Sequence, residues 1–174
     1  MDNGEFCKQF SDNVGICSLT KDPLNLLMWA HYAQHHKGFV VEFEIPLKAA
    51  DAENLPENFL FDWLIPQEVE YQTSKPKVNL VDDNNDVKIW KQFQVKGKDW
   101  AYEHEERVID YVRGHGIHKY DRKTILHSVI AGMKMKDPDY MTLVESINKI
   151  NKDLNLNIGI YKTEKVKGAR QQNL

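Results

Sequence analysis

The densest chemistry in the chain lies in KDWAYEHEERVIDY, residues 98–111, where Trp100, Glu103, Glu105, Glu106 and Arg107 fall within eight residues. Read as an extended strand from Glu103, this stretch puts Glu103, Glu105 and Arg107 on one face and His104, Glu106 and Val108 on the other. Two carboxylates beside one guanidinium diverge in proton affinity, because like charge raises one and Arg107 lowers the other. Such a pair suits general acid/base chemistry or the stabilisation of a cationic transition state. The plain alternative is an exposed acidic strand end with a structural Arg107 salt bridge, worth little when solvated. Spacing alone favours that alternative.

A second candidate is LLMWAHYAQHHKGFVVEFE, residues 26–44. His31 and His35 are four apart and share a helix face, a spacing that suits two zinc ligands. A zinc protease would need Glu directly after the first His, but that position is Tyr32 and no third ligand follows nearby. No metal is assigned. His35 and His36 read as cations at the negative end of a helix. His31, beside Trp29 and Tyr32, is the pocket candidate, and Leu26, Leu27, Ala30 and Ala33 read as core.

These residues need elements to hold them. VGICSLT (14–20) has the composition of a strand, and Asn25 is placed to cap a helix that stops at Gly38. Phe39–Ile45 alternates as a strand, with Phe39, Val41, Phe43 and Ile45 on one face. Residues 46–66 are irregular, QEVEY (67–71) reads as a strand, and 73–87 as a polar loop. Asp86–Val95 has helical spacing, with Val87, Trp90, Phe93 and Gln94 approximating one face. Glu106–Val112 reads as a strand, residues 113–116 as a turn, and 124–131 as another apolar stretch. A helix follows over 138–152, with Asp137 as cap and Pro138 at its first position. Asn157–Thr163 is the last strand. There are no repeats and no linker long enough to divide the chain, so a single domain over 1–174 is expected. Helices and strands mix without regular alternation, which makes the class α+β: a mixed sheet with flanking helices.

Composition bounds the function. At 174 residues the chain can bury roughly two-thirds of its unfolded surface without a covalent staple. A net charge of −3 offers no general field for nucleic acid or an anionic membrane. Lys162, Lys165, Lys167 and Arg170 read as a solvated basic tail. Two cysteines, Cys7 and Cys17, suit free thiols in a reducing compartment. No apolar run approaches ~20 residues, so no span is expected, and the chain reads as a cytoplasmic protein.

Taken together, Cys17-Ser18, M-W-x-H-Y at 28–32, Lys37-Gly38-Phe39 with VVEFE, W-x-x-E-x-E-x-R at 100–107 and VIAG at 129–132 resemble one bacterial domain family, known chiefly as a domain of unknown function. The resemblance covers roughly residues 14–45 and 96–160. Family members carry an upstream region before the Cys-Ser strand. Only thirteen residues precede Val14 here, so the resemblance implies that this part of the family domain is absent.

Family order is also similar to an ADP-ribosyltransferase-like layout. That likeness implies an enzyme in which a late-strand Glu stabilises the oxocarbenium formed when nicotinamide leaves NAD. Glu105 takes that role, with Glu103 tuning it and Arg107 meeting a phosphate or ribose hydroxyl. His31 positions the substrate, and Ser18, Trp29, Tyr32 and Trp100 bind it. Trp29, His31 and Tyr32 are then one wall of a pocket, and Glu103, Glu105 and Arg107 another. The partner is a nucleotide-like small molecule, NAD first. The rival reading is a non-catalytic interaction module whose exposed aromatics Trp63, Trp90 and Tyr71 face a protein.

Overall fold

The computed structural model describes residues 14–44, 65–79, 81–110, 113–120 and 122–165. These residues fall into two compact units, each made of two stretches of chain: Met1–Pro23 with Leu47–Tyr120, and Leu24–Pro46 with Asp121–Leu174. The class is α+β, as expected, with the strands among the described residues spread over three small sheets rather than one. Among the described residues no helix is long and apolar enough to cross a membrane.

In the first unit β1 (Gly15–Thr20) pairs antiparallel with β6 (Glu105–Asp110), setting Ser18 opposite Arg107 and Thr20 opposite Glu105. Gly15 has to be glycine, because a Cβ there would lie 2.3 Å from the Gly114 carbonyl oxygen. The stretch expected as one strand, QEVEY, is two. β3 (Gln67–Glu68) lines the other edge of β6, whereas β4 (Glu70–Gln72) pairs in parallel with β5 (Val95–Gly97). The break is at Val69, which is buried and donates its N–H to the Glu105 carbonyl at 3.0 Å. Asn84 caps α2 (Asn85–Ile89), its side-chain oxygen accepting from the Val87 N–H at 2.9 Å. This helix widens into a π-helical turn over Trp90–Gln94 that buries Phe93 and delivers the chain into β5.

In the second unit Asn25 caps α1 (Leu26–Tyr32) as expected, accepting from the Leu27 and Met28 N–H groups at 3.0 and 3.3 Å. Only part of the expected core face is buried. Ala33 and Trp29 are enclosed, whereas Leu26 and Leu27 are 51% and 50% exposed. The helix stops at Tyr32. His35 and His36 do not end the helix. With Gln34 they form a left-handed run with φ of 51°, 54° and 68°, closed when the Gly38 N–H donates to the Ala33 carbonyl at 2.9 Å.

β2 (Phe39–Phe43) pairs antiparallel with β7 (Leu126–Ala131), which directly follows the short α3 (Arg122–Ile125), and β7 pairs in parallel with β8 (Gly159–Lys162). A parallel neighbour requires a crossover, supplied by α4 (Asp137–Leu154). Its Ile147 packs with Val129 and Ile158, surrounded by Leu126, Leu143, Ile150, Leu156 and Ile160. Lys136 occupies the N-cap position and Asp137 lies inside the first turn, one step from its expected role as the cap. There its charge still meets the positive end of the helix. At the other end Asn155 is left-handed, and the Asn151 side chain clamps both the N–H and the carbonyl of Ile158, at 2.8 and 3.2 Å.

Candidate functional site

The first unit gathers five of the sequence-predicted residues, Ser18, Trp100, Glu103, Glu105 and Arg107, around one ion network. The premise that joined Glu103 to Glu105 is corrected. Residues Lys98–Glu103 are a 3-10 helix, and His104 is left-handed with φ 44° and ψ 47° before β6 begins. The two carboxylates therefore meet across a sharp corner rather than by alternation along a strand. The corner is anchored from β1: the Thr20 hydroxyl donates to the Glu103 carbonyl at 2.7 Å, and the Lys21 N–H to the His104 carbonyl at 3.3 Å.

What joins the carboxylates is Lys96, on β5. Its ammonium donates to Glu103 and, at 2.9 Å, to Glu105 Oε2. It also lies 5.1 Å from the centre of the Trp100 ring, within cation–π range. Arg107 grips Glu105 from the other side, Nε donating to Oε1 at 2.7 Å and Nη2 to Oε2 at 3.1 Å. The Arg107 guanidinium is itself tied to the Phe93 carbonyl. Ser18 adds a hydroxyl donor to Glu105. Tyr71 fixes the start of β6, its phenol oxygen accepting from the Glu105 backbone N–H at 2.8 Å.

Glu103 and Glu105 are 1% and 5% exposed, and Trp100 is 45% exposed, so a buried acidic pair sits behind an open aromatic face. Burial alone would raise the Glu105 pKa. The hydrogen bonds from Arg107, Ser18 and Lys96 outweigh it and hold the carboxyl down at about 2. Burial likewise opposes the Lys96 charge, but its bonds to Glu103 and Glu105 keep the ammonium above its usual range. Two acids and two bases balance, which is how charge survives out of water.

Sequence reasoning missed Lys96 and Tyr71. The rival reading, an interaction module, puts Tyr71 on an exposed partner-facing surface together with Trp90 and Trp63. Tyr71 and Trp90 are half-buried, and Trp63 lies outside the described residues. The signal for Lys96 was weak: one cation between Val95 and Gly97, seven residues before Glu103. Its place depends on the parallel pairing of β4 with β5, which sets Tyr71 beside Lys96.

Trp29, His31 and Tyr32 belong to the second unit, on α1. Trp29 is buried there, while His31 and Tyr32 are exposed and meet edge to face at 6.1 Å. Among the described residues no group of three or more His, Cys, Asp or Glu is arranged to hold a metal ion. Cys17 is a free thiol, and Cys7 lies outside the described residues.

No curated protein and no solved structure matches the chain. The family described as "Protein of unknown function (DUF2971)" matches residues 28–108, an interval that opens on M-W-x-H-Y and closes one residue after Arg107. Over those residues the chain is similar to a domain family of unknown function.

Proposed function

We propose that the chain is an ADP-ribosyltransferase-like enzyme that binds a nucleotide such as NAD, with Glu105 acting on the ribose. The observation that carries this reading is the buried Glu105 carboxylate, held ionised at about 2 by Arg107, Ser18 and Lys96. A carboxyl of that acidity is a poor general base at neutral pH, since proton transfer is best served by a pKa near the working pH. It is well suited to stabilising positive charge. When the bond from ribose to a pyridinium nitrogen breaks, the electron pair leaves with the nitrogen and the charge builds on the sugar. A fixed anion in a dry site favours that state. The Trp100 face suits a flat ring, and a guanidinium suits phosphate.

A second reading, the non-catalytic interaction module, is favoured by one feature. The chain's own donors already engage both oxygens of Glu105.

Calorimetry with NAD, ADP-ribose and ATP on the full chain separates the two readings, together with NAD turnover by Glu105→Gln. The enzyme reading expects binding, and a folded Glu105→Gln protein that keeps affinity but loses turnover. Absence of binding by all three at millimolar concentration would remove the nucleotide reading in favour of the module.

A further inference from the structure

We propose that Lys96 is a displaceable donor: it occupies Glu105 in the resting protein and withdraws onto Glu103 when a ligand hydroxyl takes its place. The inference rests on the reading above, in which Glu105 meets the ligand. An ionised carboxylate offers about four acceptor sites. Arg107 fills two, Lys96 a third and Ser18 a fourth. A ribose hydroxyl can donate to Glu105 only if one of these donors leaves.

The donors differ in what leaving would cost them. Arg107 is bound twice to Glu105 and again to the Phe93 carbonyl, so releasing it breaks a bidentate pair. Ser18 sits on a paired strand with a short side chain, and among the described residues Glu105 is its one side-chain partner. Lys96 is different on both counts. Its long side chain is the most exposed of the four charged members, 22% against 16%, 4% and 1% for Arg107, Glu105 and Glu103. Its ammonium already has a second carboxylate, Glu103, and the Trp100 face. A small rotation that gives up Glu105 Oε2 leaves Lys96 paired. Glu103 thus acts as a holding acceptor, and the acid pair carries one proton-rich cation between its members.

Two measurements on the full chain test this. In carboxyl 13C NMR titrations, Lys96→Met should raise the Glu105 midpoint yet leave it below the ordinary value of about 4.3, because Arg107 and Ser18 remain. A midpoint at the ordinary value, or a Lys96→Met protein that does not fold, would overturn the proposal by making Lys96 integral to the network. In calorimetry with ADP-ribose, Lys96→Met should bind about tenfold tighter than the natural chain, since the competing donor is gone. Glu103→Gln should bind more weakly, since the holding acceptor is gone. Unchanged or weakened binding by folded Lys96→Met counts against the inference, as does a larger gain from Ser18→Ala. If neither the natural chain nor Lys96→Met binds ADP-ribose, the nucleotide reading fails and the titration alone decides the role of Lys96.

Discussion

In the unit built on β1, β5 and β6, the enclosed polar side chains among the described residues are three acids, Glu103, Glu105 and Asp110. In the unit built on β2, β7 and α4, the enclosed side chains among the described residues are apolar apart from Ser128, whose hydroxyl donates to Glu42. The second arrangement is the cheaper way to stabilise a fold. Val129, Ile147 and Ile158 leave water, and no charge has to be compensated. A buried ion network is at best even with well-packed apolar residues of similar volume, yet breaking it is costly. Its presence at the β5–β6 corner is therefore better explained by a need for charge than by a need for stability. Glu105, and not the larger apolar core, is therefore where the fold keeps a charge suited to chemistry.

Three measurements bear on this contrast. The largest effect is expected from Arg107→Met, which strips Glu105 of both guanidinium hydrogen bonds and leaves a buried charge partly unmatched. Urea unfolding should show a loss of ~3–5 kcal/mol. A loss under ~1 kcal/mol would mean that the network is solvated enough to count as surface, and the contrast between the units would collapse.

Ile147→Ala comes next, at ~2–4 kcal/mol, because it opens a cavity between α4 and the β7–β8 strands. This loss should stay constant from pH 7 to pH 3, since the cluster that Ile147 packs into is made of aliphatic side chains. A loss that varied strongly with pH would contradict an apolar core there.

The smallest effect is the pH dependence of Glu105 itself. An unfolded glutamate titrates near ~4.3, whereas Glu105 in the fold titrates at about 2. The unfolded chain takes up the proton first. The stabilisation is thus complete above the unfolded value and is lost as pH falls through the folded one. The stability gap between the natural chain and Glu105→Gln should narrow as pH drops from about 5 toward 2. A gap that stayed flat would show that Glu105 is not held ionised by its neighbours.

Much of the scaffold was legible because its signals are local. Asn25 announces α1, since a cap acts on N–H groups two and three residues away. Composition marked β1, alternation marked β2 and the face shared by Glu105 and Arg107 in β6, and Asp137 read as a cap before Pro138 placed the start of α4 within one residue. The types of the site residues were equally plain: two acids and an arginine near a tryptophan, with a serine on an earlier strand.

Tertiary structure decided how those residues meet. The left-handed corner at His104 is held by Thr20 and Lys21, more than eighty residues away in sequence. The break at Val69, which parts β3 from β4, is pinned by the Glu105 carbonyl. Lys96 reaches both carboxylates because β4 and β5 pair in parallel, and because a 3-10 turn then brings the chain back over 98–103. Amino-acid type sets the charge a side chain carries and the short-range turns it prefers. Distances between charges far apart in sequence are set by strand pairing and burial, and these decide which cation neutralises which acid and whether Glu105 is left with a proton at neutral pH.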